Sequence, residues 1–334
     1  MRKVLSLVAA AALLLVAIVP AFAQDEPGTI ADIVIASASA ETPEFATLLA
    51  AVQAADPAVV EALSNPELSL TVFAPTDAAF AALAEALGEE AFAAVLADPA
   101  ALTDILLFHV VEGAAMSGDV VEALEMGEGA AQFPSLNGQY IDVAMDDMGI
   151  TVNGANLNLE MVDIAASNGV IHVIDAVILP ESRTIAEIVV ASAGMEEGAE
   201  FATLLAAVSA ADPAVLEALS DPEGELTVFA PTDAAFAALG EDTLNAVLAD
   251  QALLSGILLY HVVPGVVYST DLGIMLSDAE NMTLEVQTVN GANVTFMANE
   301  DGVFINDAQV IMTNIDAANG VIHVIDAVIL PPME

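Results

Sequence analysis

Asn168-Gly-Val-Ile-His-Val-Ile-Asp-Ala-Val-Ile-Leu-Pro180 returns without a change at Asn319 to Pro331. Its β-branched residues run on without a polar alternation, which predicts a strand over Val170 to Leu179 covered on both faces, ended by Pro180. A second block, Thr71-Val-Phe-Ala-Pro-Thr-Asp-Ala-Ala-Phe80, recurs unchanged at Thr227 to Phe236. Weaker echoes keep the same order: Thr29 to Ala38 with Thr184 to Ala193, Glu44 to Val52 with Glu200 to Val208, and Phe108-His-Val-Val111 with Tyr260-His-Val-Val263. The spacing of roughly 150 residues is the size of one self-sufficient domain and far above the period of a solenoid unit. The chain is a tandem duplication.

Within one repeat the hydrophobic period changes from helical to extended. Ile30, Ile33 and Val34 follow Thr29, a suitable N-cap, and Phe45, Leu48, Leu49 and Val52 form one helical face. Asp56-Pro57 opens a third helix. Leu68 to Phe73 reads as a buried strand, with Leu70 and Val72 on one face and Thr71 and Phe73 on the other. Thr76 or Asp77 caps the next helix, which is expected to bury Phe80, Leu83 and Leu87. Leu102 to Phe108 is helical, and Asn-Gly and Asp-Met-Gly turn signals then punctuate a run of strands. Helices first and a sheet second is an α+β pattern. The second repeat follows suit, with its small deletions expected in loops. The domains are expected at 26–180 and 183–331. Only Glu181-Ser182-Arg183 joins them, which is short enough to make the two halves touch.

The start of the chain is short, cationic and then apolar from Val4 to Val19, with Ala21-Phe-Ala23 ahead of Gln24. Residues 1–23 are expected to be a cleaved signal peptide, leaving no spanning segment and an exported, extracellular or cell-surface protein. Arg2 and Lys3 leave with it, so Arg183 alone faces 49 Asp and Glu, a formal charge of −48. A chain so poor in cations has nothing with which to displace phosphate counterions, which excludes nucleic acid as a partner; solution cations are the expected counterions. The absence of Cys excludes disulfides, thiolate metal sites and thiol catalysis.

The repeated blocks resemble the fasciclin-like domain family, in its secreted bacterial type. The first signature is similar to Thr71 to Phe80 and Thr227 to Phe236, the Tyr-His motif to Phe108-His109 and Tyr260-His261, and the closing signature to Asn168 to Pro180 and Asn319 to Pro331. The resemblance implies two tandem domains, each a wedge of β-strands flanked by several short helices. It also implies a non-enzymatic role in adhesion, through contact with an extracellular or cell-surface protein or matrix component, and no cofactor. Animal members engage integrins around the Tyr-His motif and the Asp-Ile segment before it. Carried over by position, the partner-binding candidates are Asp104, Ile105, Phe108 and His109, then Ile257, Tyr260 and His261. The first repeat lacks the tyrosine, and the second has Gly256 in place of the acid.

Residue chemistry keeps a competing reading open. All four histidines, His109, His172, His261 and His323, lie in repeated motifs. They serve either a metal-dependent or hydrolytic site in each domain or, as the preferred reading has it, buried hydrogen-bonding roles. His172 and Asp175 point to opposite faces of a strand, so a His–carboxylate pair needs Asp77 or another remote acid. Asp77 and Asp233 stand where helix caps stand. The acidic tips Asp146-Asp147 and Asn299-Glu-Asp301 lack the ligand spacing of an EF-hand, although a cation-binding acidic surface is a further alternative. The charge itself makes a prediction. The screening length falls from about 30 Å at 0.01 M salt to about 3 Å at 1 M, so we expect the melting temperature to climb with NaCl; a melt insensitive to salt would show that carboxylate repulsion does not limit stability.

Overall fold

Each half begins with helices whose N-terminal ends are held by side-chain caps, some local and some from elsewhere in the domain. The computed structural model describes residues 27–40, 43–127, 129–146, 149–195, 200–299 and 301–332. The expected signal peptide, and Asp147 and Glu300 of the two acidic tips, lie outside these residues. Domain 1 runs α1 (Ile30–Ala38), α2 (Ala46–Ala54), α3 (Pro57–Ser64), β1 (Leu70–Pro75), α4 (Asp77–Leu87), α5 (Glu89–Leu96), α6 (Pro99–Phe108), β2 (Val110–Glu112), α7 (Ser117–Met126), β3 (Ala130–Pro134), β4 (Tyr140–Asp146), β5 (Gly149–Val152), β6 (Ala155–Asn156), β7 (Ile164–Ala166) and β8 (Gly169–Ile174). Domain 2 repeats the order as α8 (Ile185–Ala193), α9 (Ala202–Ala210), α10 (Pro213–Ser220), β9 (Leu226–Pro231), α11 (Asp233–Ala238), α12 (Glu241–Ala249), α13 (Gln251–Tyr260), β10 (Val262–Pro264), α14 (Ser269–Asp278), β11 (Thr283–Gln287), β12 (Asn293–Asn299), β13 (Gly302–Ile305), β14 (Ala308–Ala317) and β15 (Gly320–Ile325).

Thr29 and Asp32 form a reciprocal capping box at α1, as Thr184 and Glu187 do at α8, and Asp56 caps α3 with Pro57 in its first turn. The Thr76-Asp77 pair divides its labour. Thr76 caps α4 by accepting the Ala79 N–H at 3.1 Å, whereas Asp77 reaches back to α2 and accepts the N–H groups of Thr47 at 2.7 Å and Ala46 at 3.2 Å. Phe45, at the N-cap of α2, has no side chain that could do this. Asp233 does the same for α9 through Thr203 and Ala202.

The last strand lies parallel to the first. β8 pairs with β1 from Leu70↔Gly169 to Pro75↔Ile174, inside the order β2-β1-β8-β7, and β15 pairs with β9 in the same register. Alternate side chains then serve two cores. Ile171 and Val173 join Leu70, Val72 and the helices α1, α2, α3 and α6, while Ile174 and Phe73 join Phe108 and the β4–β5 hairpin. This division explains the uninterrupted apolar run. The strand stops at Ile174, short of the expected Leu179, because β1 ends at Pro75 and Thr76 turns into α4. Beyond it the chain continues as a strap that buries Ile178.

Two further expectations are corrected. Leu83 is only half-buried and Leu87 is 41% exposed, because α4 projects beyond the core at its C-terminal turn. The four-residue deletion in the second repeat falls within a helix and not in a loop: α4 has 11 residues and α11 has 6. Four residues are close to one helical turn, so their loss shortens the helix while leaving the flanking faces in phase.

Gly169 and Gly320 have φ of +152° and +148°, and a Cβ on either would stand 1.9 Å from the carbonyl oxygen of Leu70 or Leu226. That oxygen belongs to the neighbouring strand and has no room to retreat. We expect Gly169→Ala and Gly320→Ala each to cost about 3 kcal/mol or more in chemical denaturation, each in its own domain. A cost below about 0.5 kcal/mol would mean that the close strand approach is dispensable.

Candidate functional site

The histidines are struts. At the end of α6, His109 Nδ1 contacts the Ile105 carbonyl at 2.7 Å while its Nε2 accepts the Ile178 N–H at 3.2 Å. His261 repeats this with the Ile257 carbonyl at 2.8 Å and the Ile329 N–H at 3.1 Å. One nitrogen must therefore carry a proton and the other must not, so both rings are neutral. Burial pushes each imidazole down to about 4, against a smaller upward pull from the carbonyl bond. His172 and His323 sit mid-strand, with Nε2 on the carbonyls of Ala115 and Val267 and Nδ1 accepting the N–H of Asp163 and Asn314.

A carboxylate does approach one histidine, and it comes from Asp163, not Asp77. Its Oδ1 lies 4.0 Å from His172 Nδ1. Both oxygens are already engaged, by the Ser117 hydroxyl at 2.5 Å and the Ser117 N–H at 2.7 Å. The Ser117 hydroxyl bond is the main reason its pKa is held below the ordinary carboxylate value. In domain 2 the equivalent residue is Asn314, which accepts the Ser269 N–H at 2.8 Å. A position that takes Asp in one copy and Asn in the other, with the same hydrogen bond, is used as an acceptor and not as a base. Among the described residues no three His, Asp or Glu side chains converge as a metal site would require.

The seven carried-over residues are placed unevenly. Asp104 is exposed and accepts the Asn137 Nδ2–H at 3.1 Å, and Ile105 is half-buried. Phe108, His109, Ile257, Tyr260 and His261 are buried at 1–5% exposure. Tyr260 donates its hydroxyl to the Asn293 carbonyl at 2.8 Å and accepts the Asn306 amide at 3.0 Å, which ties the start of β12 to the turn after β13. Phe108 fills the same position without those bonds. Asp104 lies at the rim of a cleft between the domains, lined also by Gln139, Glu181, Glu225 and Tyr268.

The domains meet through polar groups that the sequence did not single out. Asp316 Oδ2 accepts the Tyr140 N–H at 2.9 Å and Oδ1 accepts the Tyr268 hydroxyl at 2.8 Å. The rings of Tyr140 and Tyr268 pack at 4.2 Å between centroids, the Tyr140 hydroxyl bonds to Thr270, and Asn314 donates to Gln132 across the junction at 2.7 Å. Burial pushes the Asp316 carboxyl up to about 6 despite those two bonds, and the charges of Asp142 and Glu181 push the same way. Gln139 clamps the connector by donating to the Glu181 carbonyl at 2.8 Å and accepting its N–H at 2.7 Å. Arg183 is bound to the Glu181 carboxylate through Nε at 2.9 Å. The only signal in the sequence was the brevity of the connector; pairings more than a hundred residues apart carry no local pattern.

The struts make a pH-dependent prediction. Folded His109 and His261 refuse protons until about pH 4, whereas unfolded imidazoles accept them from about 6.5. The unfolded state therefore binds more protons in that window, and stability should fall as pH drops through it. We expect urea titrations to show a shallower slope of this sign in the His109→Ala/His261→Ala variant than in the parent, with buried His323 retaining part of it. Each single replacement should also cost about 2–4 kcal/mol at pH 7 by leaving an N–H unpaired and a void. A stable double variant with an unchanged pH slope would mean that the rings are not buried struts.

With the geometry in place, comparison with known proteins is informative. The Fasciclin domain family model matches residues 43–180 and 199–331. The chain is 47% identical over 135 residues to Protein sll1483 of Synechocystis, covering 40% of this chain and 68% of that protein. It is 29% identical over 273 residues to human Periostin, covering 82% of this chain but only 28% of Periostin. Against Immunogenic protein MPB70 of Mycobacterium bovis it is 34% identical over 134 residues, 40% of this chain and 64% of that protein. A solved FAS1 domain pair from the insect cell adhesion molecule Fasciclin I matches 88% of this chain and 98% of its own, with a TM-score of 0.38 and 18% identity. Among the described residues no single helix is long and apolar enough to cross a membrane. Two family matches that together span most of the chain, each ending on the Asn-Gly-Val-Ile-His strand, place it in the fasciclin domain family as a tandem pair.

Proposed function

We propose that this is a secreted, non-enzymatic adhesion or matrix-interaction protein that works by presenting the surfaces of two joined fasciclin domains. The observation that carries this reading is the commitment of all four histidines. Each ring has both nitrogens bonded to backbone groups. No imidazole is left to take a proton from a substrate or to ligate a metal, since either task would first break a bond that holds the fold. Family membership adds support, because the family's members act through protein contact.

Within this reading the recognition surface is the rim of the interdomain cleft, where Asp104 of α6 reaches the exterior, with half-buried Ile105 next to it in the chain. The buried members of the set hold their own domains in shape and do not touch a partner: Phe108 and His109 in domain 1, and Ile257, Tyr260 and His261 in domain 2. Two copies joined by three residues also present two weak sites at a high mutual effective concentration. The test is a surface coated with the mature protein. It should retain cells of the source organism or their isolated matrix well above an albumin-coated surface, and Asp104→Lys should reduce retention several-fold while leaving the melting temperature unchanged. Retention equal to albumin would overturn the adhesive reading; full retention by Asp104→Lys would move the contact away from the cleft.

A further inference from the structure

Domain 2 contains an apolar cavity of about 360 Å³ between α11, α12, α13 and the segment that follows β15. Its walls include Phe236, Leu244, Val247, Leu254 and Ile257, with the His261 ring among them. The size falls within the range of small-molecule sites, roughly 300–1,000 Å³. No Asp or Glu lines it, although the chain holds 49 of them. No residue of α12 is fully buried, and Leu244, Val247 and Leu248 are half-buried above the space. α12 thus lies over the space as a lid, with Leu244, Val247 and Leu248 on its underside reaching the core at the edge of the cavity.

The duplicated halves differ at this corner in two ways. Counting back from the shared histidine, Leu244 stands where domain 1 has Phe92, so a phenyl ring is replaced by a smaller side chain. α11 is also shorter than α4, with 6 residues against 11. The lid also sits differently: α12 and α13 bend by 106° at their junction, against 89° for α5 and α6.

We infer that this cavity binds an uncharged lipid-like alcohol, such as a long-chain or terpenoid alcohol. The lining is almost wholly apolar, and its walls regain lost contacts when hydrocarbon enters. Charge decides among lipids. A carboxylate or phosphate headgroup would have to approach a protein of formal charge −48 after loss of the leader. A cationic group would find no acid inside to pair with and would be desolvated without return. His261 offers the interior no free hydrogen bond, since both its nitrogens are taken. Thr243, exposed on the rim, is the hydroxyl placed to meet that of an alcohol at the mouth.

The test uses the whole mature chain and N-phenyl-1-naphthylamine, a neutral probe that brightens in apolar surroundings. Saturable binding at one site per chain is expected, with displacement by 1-dodecanol and none by dodecanoate at the same concentration. Leu244→Phe, which installs the domain 1 side chain, should weaken probe binding at least tenfold with an unchanged melting temperature. Val247→Phe, on the same face of α12, repeats the measurement should the first variant not fold. Absence of saturable binding, equal displacement by dodecanoate, or undiminished binding in a folded variant would each overturn the assignment.

Discussion

The pairing of β8 against β1, and of β15 against β9, is the constraint from which each domain is assembled. Parallel neighbours so far apart in sequence need a long crossover, and everything between Pro75 and Gly169 is that crossover. The Asn-Gly-Val-Ile-His block supplies what the pairing needs. Asn168 is buried, accepting the Ile30 N–H at 2.8 Å and donating to the carbonyls of Leu63 and Asn65. It therefore joins the start of α1 and the end of α3 to the strand. Gly169 permits the close approach to Leu70, and His172 holds the connection between β2 and α7 through the Ala115 carbonyl. Asn319, Gly320 and His323 repeat each bond in domain 2.

This economy suits a chain with almost no cations. Salt bridges cannot offset the mutual repulsion of the carboxylates, and burial and hydrogen bonds take their place. Several acids are turned to structural use at helix N-termini, where backbone N–H groups do the work of a counter-charge. At Asp77 burial pushes the carboxyl up, but the bonds from Thr47 and Ala46 outweigh it and leave its pKa below the ordinary value. Asp316 is the exception. Two bonds do not outweigh burial there, and the carboxyl is raised at the junction that joins the domains.

Duplication also shows what one fold tolerates. The Asp163 and Asn314 pair exchanges a charge for an amide while keeping the serine bond and the histidine bond. In domain 1 the corresponding chain pairs as the separate strands β6 and β7, whereas domain 2 carries β14 through with bulges and merges its strands into one sheet. The shorter α11 and Leu244 in place of a phenyl ring leave the domain 2 core intact, and an apolar space lies beneath α12. Changes of this sort are tolerated on the periphery because the central strand pair does not touch them.

The duplication, the α+β class, the caps at Thr29 and Asp56 and the two-faced strand were legible in the linear chain because they rest on periodicity and local backbone chemistry. The same is true of the neutral histidine reading, whose sign was that imidazoles recurred inside blocks of core residues. The destination of Asp77 was not legible, since a carboxylate beside one helix cannot announce that it will cap another 30 residues away. The Tyr140–Asp316–Tyr268 junction, the approach of Asp163 to His172 and the cavity under α12 were hidden for the same reason. Each depends on distances between segments remote in the chain, and no local pattern encodes a distance that only packing creates.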